Sequence, residues 1–580
     1  MQQNKDGEQK SFRLFGLFSL VVLFGFTFLN AQSFEDFKRS QAASFTKYAD
    51  ERDNAFNNYL KAEWKAYAEH KGAKLYEKPK PKKIAPAKPK KIKSVGPRVH
   101  IRVKKYVVFK KPVHHTVPAI KPVVPKKVVE KKVLPKKEVV KKKEVAKKVE
   151  PKKEVKKKEI VKKVEPKKVE PKKEVVQKVE PKKVEPKKEI VKKKEVIKKI
   201  EPKQEVITKP IVKKKVIQKD INFDFFGSNL GFDIPHKIKS ARYYPQNQKG
   251  ISNFFNSAAS SKYQQLIRDV KKTKKEMNLN DWGTYLLVLD ISNNVFPNNK
   301  DNSRLLSWFI FNKLGYAVKV GLAKKHIVLM HYSKKVIYST PNYTFGKKKF
   351  YVVANYAKGS VGKLYSYRQN YPGANKPLDL SLHSLPKLPY NLKDSTLSFK
   401  EFGNKYSVDY TYNQNLINFM ATYPQADYDT FFNAPMDGRS YASVASGLKK
   451  YVDGKKASDA MNFVLHFVQK SFKYERDNQQ FGREKVMFAQ ETLYYKKSDC
   501  EDRAILYSYL VKELFGVGVI GVKYKDHMAT ALYIPMSGDS VKDGSRKFVI
   551  ADPTYINASI GQSMPKYRSK KPQSFIVVKR

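Results

Sequence analysis

One cysteine, Cys500, occurs in the 580 residues. A lone thiol forms no intrachain disulfide, so no disulfide framework supports this fold. A phosphate loop of the Walker type is missing too, because Gly359-Ser360-Val361-Gly362-Lys363 lacks the required spacing. Paired metal-ligand histidines are also wanting. His326 and His331 lie five apart on an expected strand and project to opposite faces, and His114-His115 falls in a basic spacer. No cofactor and no metal is therefore expected. Acidic residues are scarce in residues 121–220, with 16 against 39 lysines. The basic stretch has little arginine and no interleaved aromatics, which argues against nucleic acid as its partner.

What is present begins with charge. The formal net charge is +64, concentrated before residue 220, and calls for an anionic partner. Residues 14–29 are unbroken apolar or small residues, at the long end for a signal-peptide core and the short end for a membrane span. Residues 1–31 are thus expected to be a signal peptide or a membrane anchor. Export to a bacterial-type cell envelope follows, with anionic wall polymer or a membrane surface as the partner of the basic segment.

Aromatics then recur every eleven residues, at Phe34, Phe45, Phe56 and Tyr67, with a second row at Phe37, Tyr48 and Tyr59. Eleven residues make three helical turns, so the stripe stays nearly straight. The spacing predicts one helix over 34–72 within a segment 32–75, with self-association along the stripe. Residues 76–219 are Lys, Val, Glu and Pro, with Lys-Lys-Val-Glu-Pro at 147–151, 162–166, 167–171 and 182–186. Frequent proline and like charge predict a disordered, extended spacer.

The remainder reads as α+β. A unit over 220–435 mixes helices with a strand-rich segment, and a second unit covers 436–580. Helix 440–472 carries Ala460, Met461, Val464, Phe467 and Val468 on one face. His466 falls off that face and is expected to be exposed.

Residues 501–515 form an amphipathic helix stopped by Gly516, with Asp499 as N-cap and Cys500 in the first turn. Helix-terminal N–H groups favour a thiolate there, while Glu501 and Asp502 oppose it. His527 opens an expected strand, and Asp552 in Ala551-Asp552-Pro553-Thr554 ends another. A thiol, an imidazole and a carboxylate at three element edges are the components of nucleophilic acyl transfer.

The order Cys, His, Asp with a helix-then-sheet setting resembles the transglutaminase-like superfamily of papain-fold thiol enzymes over about 457–567. That resemblance implies Cys500 as nucleophile, His527 as general base and acid, and Asp552 as the orienting carboxylate. It further implies the Cys500 backbone N–H as an oxyanion donor, with Gln480, preferred to Gln490, as the second. An upstream echo runs from Asp301-Asn302-Ser303-Arg304 to Gly315, with Ser339-Thr340-Pro341 matching Ala551-Asp552-Pro553. In that register Asp301 replaces the nucleophile, Thr340 the orienter, and His326 or His331 the base. The stretch 260–355 is either a degenerate, non-catalytic copy or an unrelated α/β unit.

The function expected is an exported envelope thiol enzyme acting on peptide or glutamine-type amides of a protein or peptide substrate. The alternative is a non-catalytic envelope scaffold or adhesion protein that uses the same fold for binding.

Overall fold

The computed structural model describes residues 34–61, 64–68, 85–88, 92–103, 218–353 and 361–579. The apolar run 14–29 and most of the 76–219 spacer lie outside these. No helix among the described residues is long and apolar enough to cross a membrane.

The aromatic-repeat helix, α1 (Phe34–Leu60), stops earlier than its period predicts. Lys65–Tyr67 is instead a strand, β1, at the edge of a sheet. The reason is tertiary: Trp64 packs on Tyr367 at 5.5 Å and Tyr67 on Phe345 at 4.3 Å. An open sheet edge with two aromatic seats outweighs a small helix propensity. Phe56 is fully buried against Phe255, Trp308 and Tyr371 of the same chain. Asp53 accepts hydrogen bonds from Tyr371 Oη (2.5 Å) and Tyr263 Oη (3.1 Å) and pairs with buried Lys313. This part of the stripe thus joins its own body, while Tyr48 remains exposed.

Helix α2 (Lys300–Lys313) starts at Asn299, whose side chain accepts from Asn302 N–H, and ends before Gly315 in the left-handed region. It leads into β2 (Val318–Ala323), β3 (His326–Tyr332), β4 (Asn342–Phe345), β5 (Lys348–Tyr351) and β6 (Leu364–Ser366). The antiparallel sheet runs β1-β6-β2-β3-β5-β4.

Downstream come α3 (Ala457–Ser471) and α4 (Cys500–Phe515), the latter ended by Gly516 at φ 66°. Five strands follow: β7 (Gly518–Lys523), β8 (Met528–Tyr533), β9 (Ser540–Asp543), β10 (Arg546–Ala551) and β11 (Ser574–Val577). Their order, β11-β7-β8-β10-β9, is all antiparallel and matches β6-β2-β3-β5-β4 strand for strand. Helix, glycine stop and five-stranded sheet therefore occur twice.

The expected boundary near 435 is not a break in packing. One apolar core contains Leu305, Trp308 and Phe309 as well as Leu506, Met528 and Val549. At the junction, Phe431 meets Phe488 at 4.9 Å. The described residues belong to one compact unit. His466, expected to be exposed, is buried and pairs through Nδ1 with Glu401. The hairpin Leu392–Glu401 with Asn404–Asn413 packs on α3, so this helix buries a second face that its spacing does not announce.

Part of the basic segment is bound rather than extended into solvent. Val99 N–H donates to Lys455 O at 2.9 Å, Ala457 N–H to Pro97 O at 2.8 Å, and Ile101 N–H to Asp453 Oδ1 at 2.7 Å. Ala87 N–H donates to Ile556 O at 2.8 Å. Both ends of the long basic stretch, Val103 and Gln218, consequently belong to the same unit. A specific protease site inserted between 104 and 217 should give two fragments that co-elute in native gel filtration and separate only in denaturant. Separation in native buffer would contradict the docking of α1 and of residues 92–103.

Candidate functional site

The approach to Cys500 is fixed by two short parallel strands, Lys473–Tyr474 beside Lys497–Ser498, with Glu475 N–H donating to Ser498 O at 3.2 Å. Asp499 and Asp502 then close a capping box at the head of α4. Asp502 also accepts from Met487 N–H at 2.9 Å, so it serves the fold. Arg503 is fully buried. Its guanidinium donates to Ser498 Oγ (3.1 Å), Gln469 O (3.2 Å) and Phe472 O (2.7 Å), and burial pulls its pKa down to about 10.

The structure brings the three sequence-predicted residues together. Cys500 and His527 have no exposed surface and Asp552 has 2 %. His527 Nε2 donates to Asp552 Oδ2 at 2.7 Å, and Asp552 Oδ1 accepts from the N–H groups of Thr554 (2.9 Å) and Tyr555 (3.2 Å). With its proton on Nε2, the imidazole presents a lone pair at Nδ1, which is buried and has no hydrogen-bond partner among the described residues. The backbone N–H of Met528, the residue after His527, donates to the Cys500 sulfur. Tyr567 stacks on the His527 ring at 4.9 Å.

The thiol itself donates to Glu501 Oε2 at 3.1 Å. Burial raises its pKa well above the ordinary thiol value, and the carboxylates of Glu501 and Asp499 raise it further. The Met528 N–H acts in the opposite direction. The resting Cys500 side chain is therefore a protonated thiol. Its proton is held by Glu501, and an open acceptor, Nδ1, belongs to the neighbouring ring.

Gln480 closes the short helix Asp477–Gln480, one turn beyond Asp477, and its buried Oε1 has no partner among the described residues. Gln490 is committed elsewhere, accepting from Asp437 N–H at 2.9 Å. A cluster of buried acids also lies at the head of α4. Oxygen atoms of Asp477, Asp499 and Glu501, all buried, lie within 4.8 Å of one another. Hard oxygen ligands in this number are of the kind that divalent cations accept. Asp499 and Glu501 flank the thiol in sequence, but Asp477 is 22 residues away and no spacing signals it.

In the upstream half, Asp301 Oδ1 accepts from Ile327 N–H at 2.9 Å, and its Oδ2 lies 3.1 Å from His326 Nδ1. Ile327 follows His326 as Met528 follows His527, so Asp301 and His326 occupy the positions of Cys500 and His527. His331 lies deep in the core between Tyr285 and Phe311. The Thr340 assignment is corrected by the topology. Thr340 precedes β4, whereas the counterpart of the Asp552-bearing strand is β5. By strand order the position equivalent to Asp552 follows Val353, outside the described residues.

Compared with protein-family models, curated proteins and solved structures, the chain matches none. Its function must be read from the site.

Proposed function

We propose that this chain is a thiol acyl-transfer enzyme with a transglutaminase-like arrangement. In this reading Cys500 is the nucleophile, His527 the general base and acid, and Asp552 the orienter. The observation that carries it is the His527 ring, held by Asp552 through Nε2 and open at Nδ1, with the peptide N–H that follows it on the Cys500 sulfur. An imidazole held in this tautomer is ready to take a thiol proton. Attack on an amide carbonyl would form a thioester and release the amine, with the proton returning from His527 to the leaving nitrogen. Water or a second amine then cleaves the thioester, giving hydrolysis or transamidation. The upstream half, with Asp301 in place of a thiol, is a non-catalytic copy of the same arrangement. Protein or peptide amides are the substrate class, and the cell envelope the site of action.

The resting thiol has to leave Glu501 before it can use His527. Glu501→Gln removes the nearest negative charge, so the thiol pKa falls and more thiolate is present at a given pH. Iodoacetamide should label wild-type Cys500 more slowly than it labels cysteine in a denatured chain at pH 7. Glu501→Gln should label faster than wild type, with its rate–pH curve moved to lower pH. An unchanged curve would remove Glu501 from control of the thiol.

A second reading, a non-catalytic envelope scaffold, is favoured by one observation: the thiol is completely buried. The two readings separate on Cys500→Ala. A scaffold keeps its cellular effect with this variant, and an enzyme loses it.

A further inference from the structure

Beside the His527 face lies a cleft of about 590 Å³, within the usual size of a ligand site. Tyr524 stands in its wall and touches the triad, its N–H donating to His527 O at 2.8 Å. Lys542, Arg568, Lys570 and Lys571 also line it, and the one acidic residue in the wall is Asp539. That carboxylate is already engaged by Arg568 Nε (3.2 Å) and by Ser563 N–H (2.9 Å), which fix the cationic wall in place. Four cations around one satisfied carboxylate give a concave surface whose potential is positive. One border of the cleft is β9, a sheet edge that pairs only with β10 among the described residues. An edge strand offers backbone donors and acceptors to an extended chain.

We propose that this cleft binds the acidic flank of an extended peptide. Lys542, Arg568, Lys570 and Lys571 take its carboxylates and β9 takes its backbone. The inference deepens the enzyme reading by giving the substrate a charge, and it rests on that reading only for the peptide's fate. Binding itself needs no thiol. Tyr567, stacked on His527, precedes Arg568 directly, so a peptide seated here contacts the segment that covers the triad.

The test uses the full chain and a benzophenone-bearing hexaglutamate peptide, with cross-linked sites mapped by mass spectrometry. Mapping is needed because the lysine-rich segment also attracts acids. Cross-links at residues 540–543 and 568–572 are expected in the wild type and equally in Cys500→Ala. Lys570→Glu with Lys571→Glu should lower cross-linking there about tenfold, a change worth ~1.4 kcal/mol. A hexaglutamate N-methylated along its backbone, with its charge unchanged, should also cross-link less. Cross-links confined to 104–217, or equal yields from hexalysine, would overturn the site. Equal yields from the N-methylated peptide would overturn the pairing to β9. Cleft cross-links in a chain whose Cys500→Ala variant loses no activity would sustain the site and sink the enzyme reading, so the two fail separately.

Discussion

Cys500→Ala is expected to abolish amide turnover, by about a million-fold if the site works as other thiol and serine triads do. The suitable readouts are release of amine from a protein substrate and hydroxamate formation when hydroxylamine replaces water. His527→Ala should cost as much, and the double variant no more than either single one, because the pair acts as a unit. Asp552→Asn should cost less, about ten-thousand-fold, since it leaves the thiol and ring in place and disturbs only the tautomer. Its effect should include a change in the pH profile, because in the proposed mechanism the Asp552 carboxylate would stabilise the imidazolium formed during attack. Turnover by Cys500→Ala within tenfold of wild type would leave the scaffold reading standing.

Arg503→Met is expected to unfold the downstream half more readily than any single substitution in the triad. Its guanidinium donates to Ser498 Oγ and to the carbonyls of Gln469 and Phe472, all inside the protein. Removing it strands those acceptors without water and leaves Asp499 and Asp502 without the nearby positive charge. Losing a buried charged donor of this kind costs about 3–5 kcal/mol. The measurement is a urea midpoint followed by tyrosine fluorescence, where a loss below about 1 kcal/mol would place Arg503 outside the core network. Arg503→Lys should recover little, because one ammonium cannot span three acceptors that a planar fork reaches at once.

The catalytic candidates were legible because chemistry restricts them: a thiol, an imidazole and a carboxylate each at an element's edge leave few alternatives in a chain with one cysteine. Asp301 was legible for a related reason, since α2 repeats the apolar spacing and glycine stop of α4, whereas His326 and His331 stay equivalent in sequence until the contact with Asp301 separates them. Thr340 misleads because a short Pro-containing match carries no strand order, and strand order depends on pairings far apart in sequence. His466 was hidden by the hairpin 392–413, whose Glu401 lies 65 residues from it. Lys319 makes the same point. It sits fully buried on β2, donating to the carbonyls of Tyr367, Arg368 and Gln369, and burial pulls its pKa down to about 7. Nothing in Val-Lys-Val-Gly marks that lysine as internal. The helix over 34–72 failed past Leu60 because a sheet edge captured Tyr67, a partner local periodicity cannot foresee.

The docking of residues 92–103 ties α3 to a segment about 360 residues upstream in the chain. Ala457 N–H, at the start of that helix, donates to Pro97 O at 2.8 Å, and the Ser458 hydroxyl accepts from Val95 N–H at 2.9 Å. Gln469, about three turns along the same helix from those contacts, gives its carbonyl to Arg503. The helix that anchors Arg503 is thus seated from outside the downstream half, and the head of α4 inherits its support from a part of the chain that local sequence would assign to a tether.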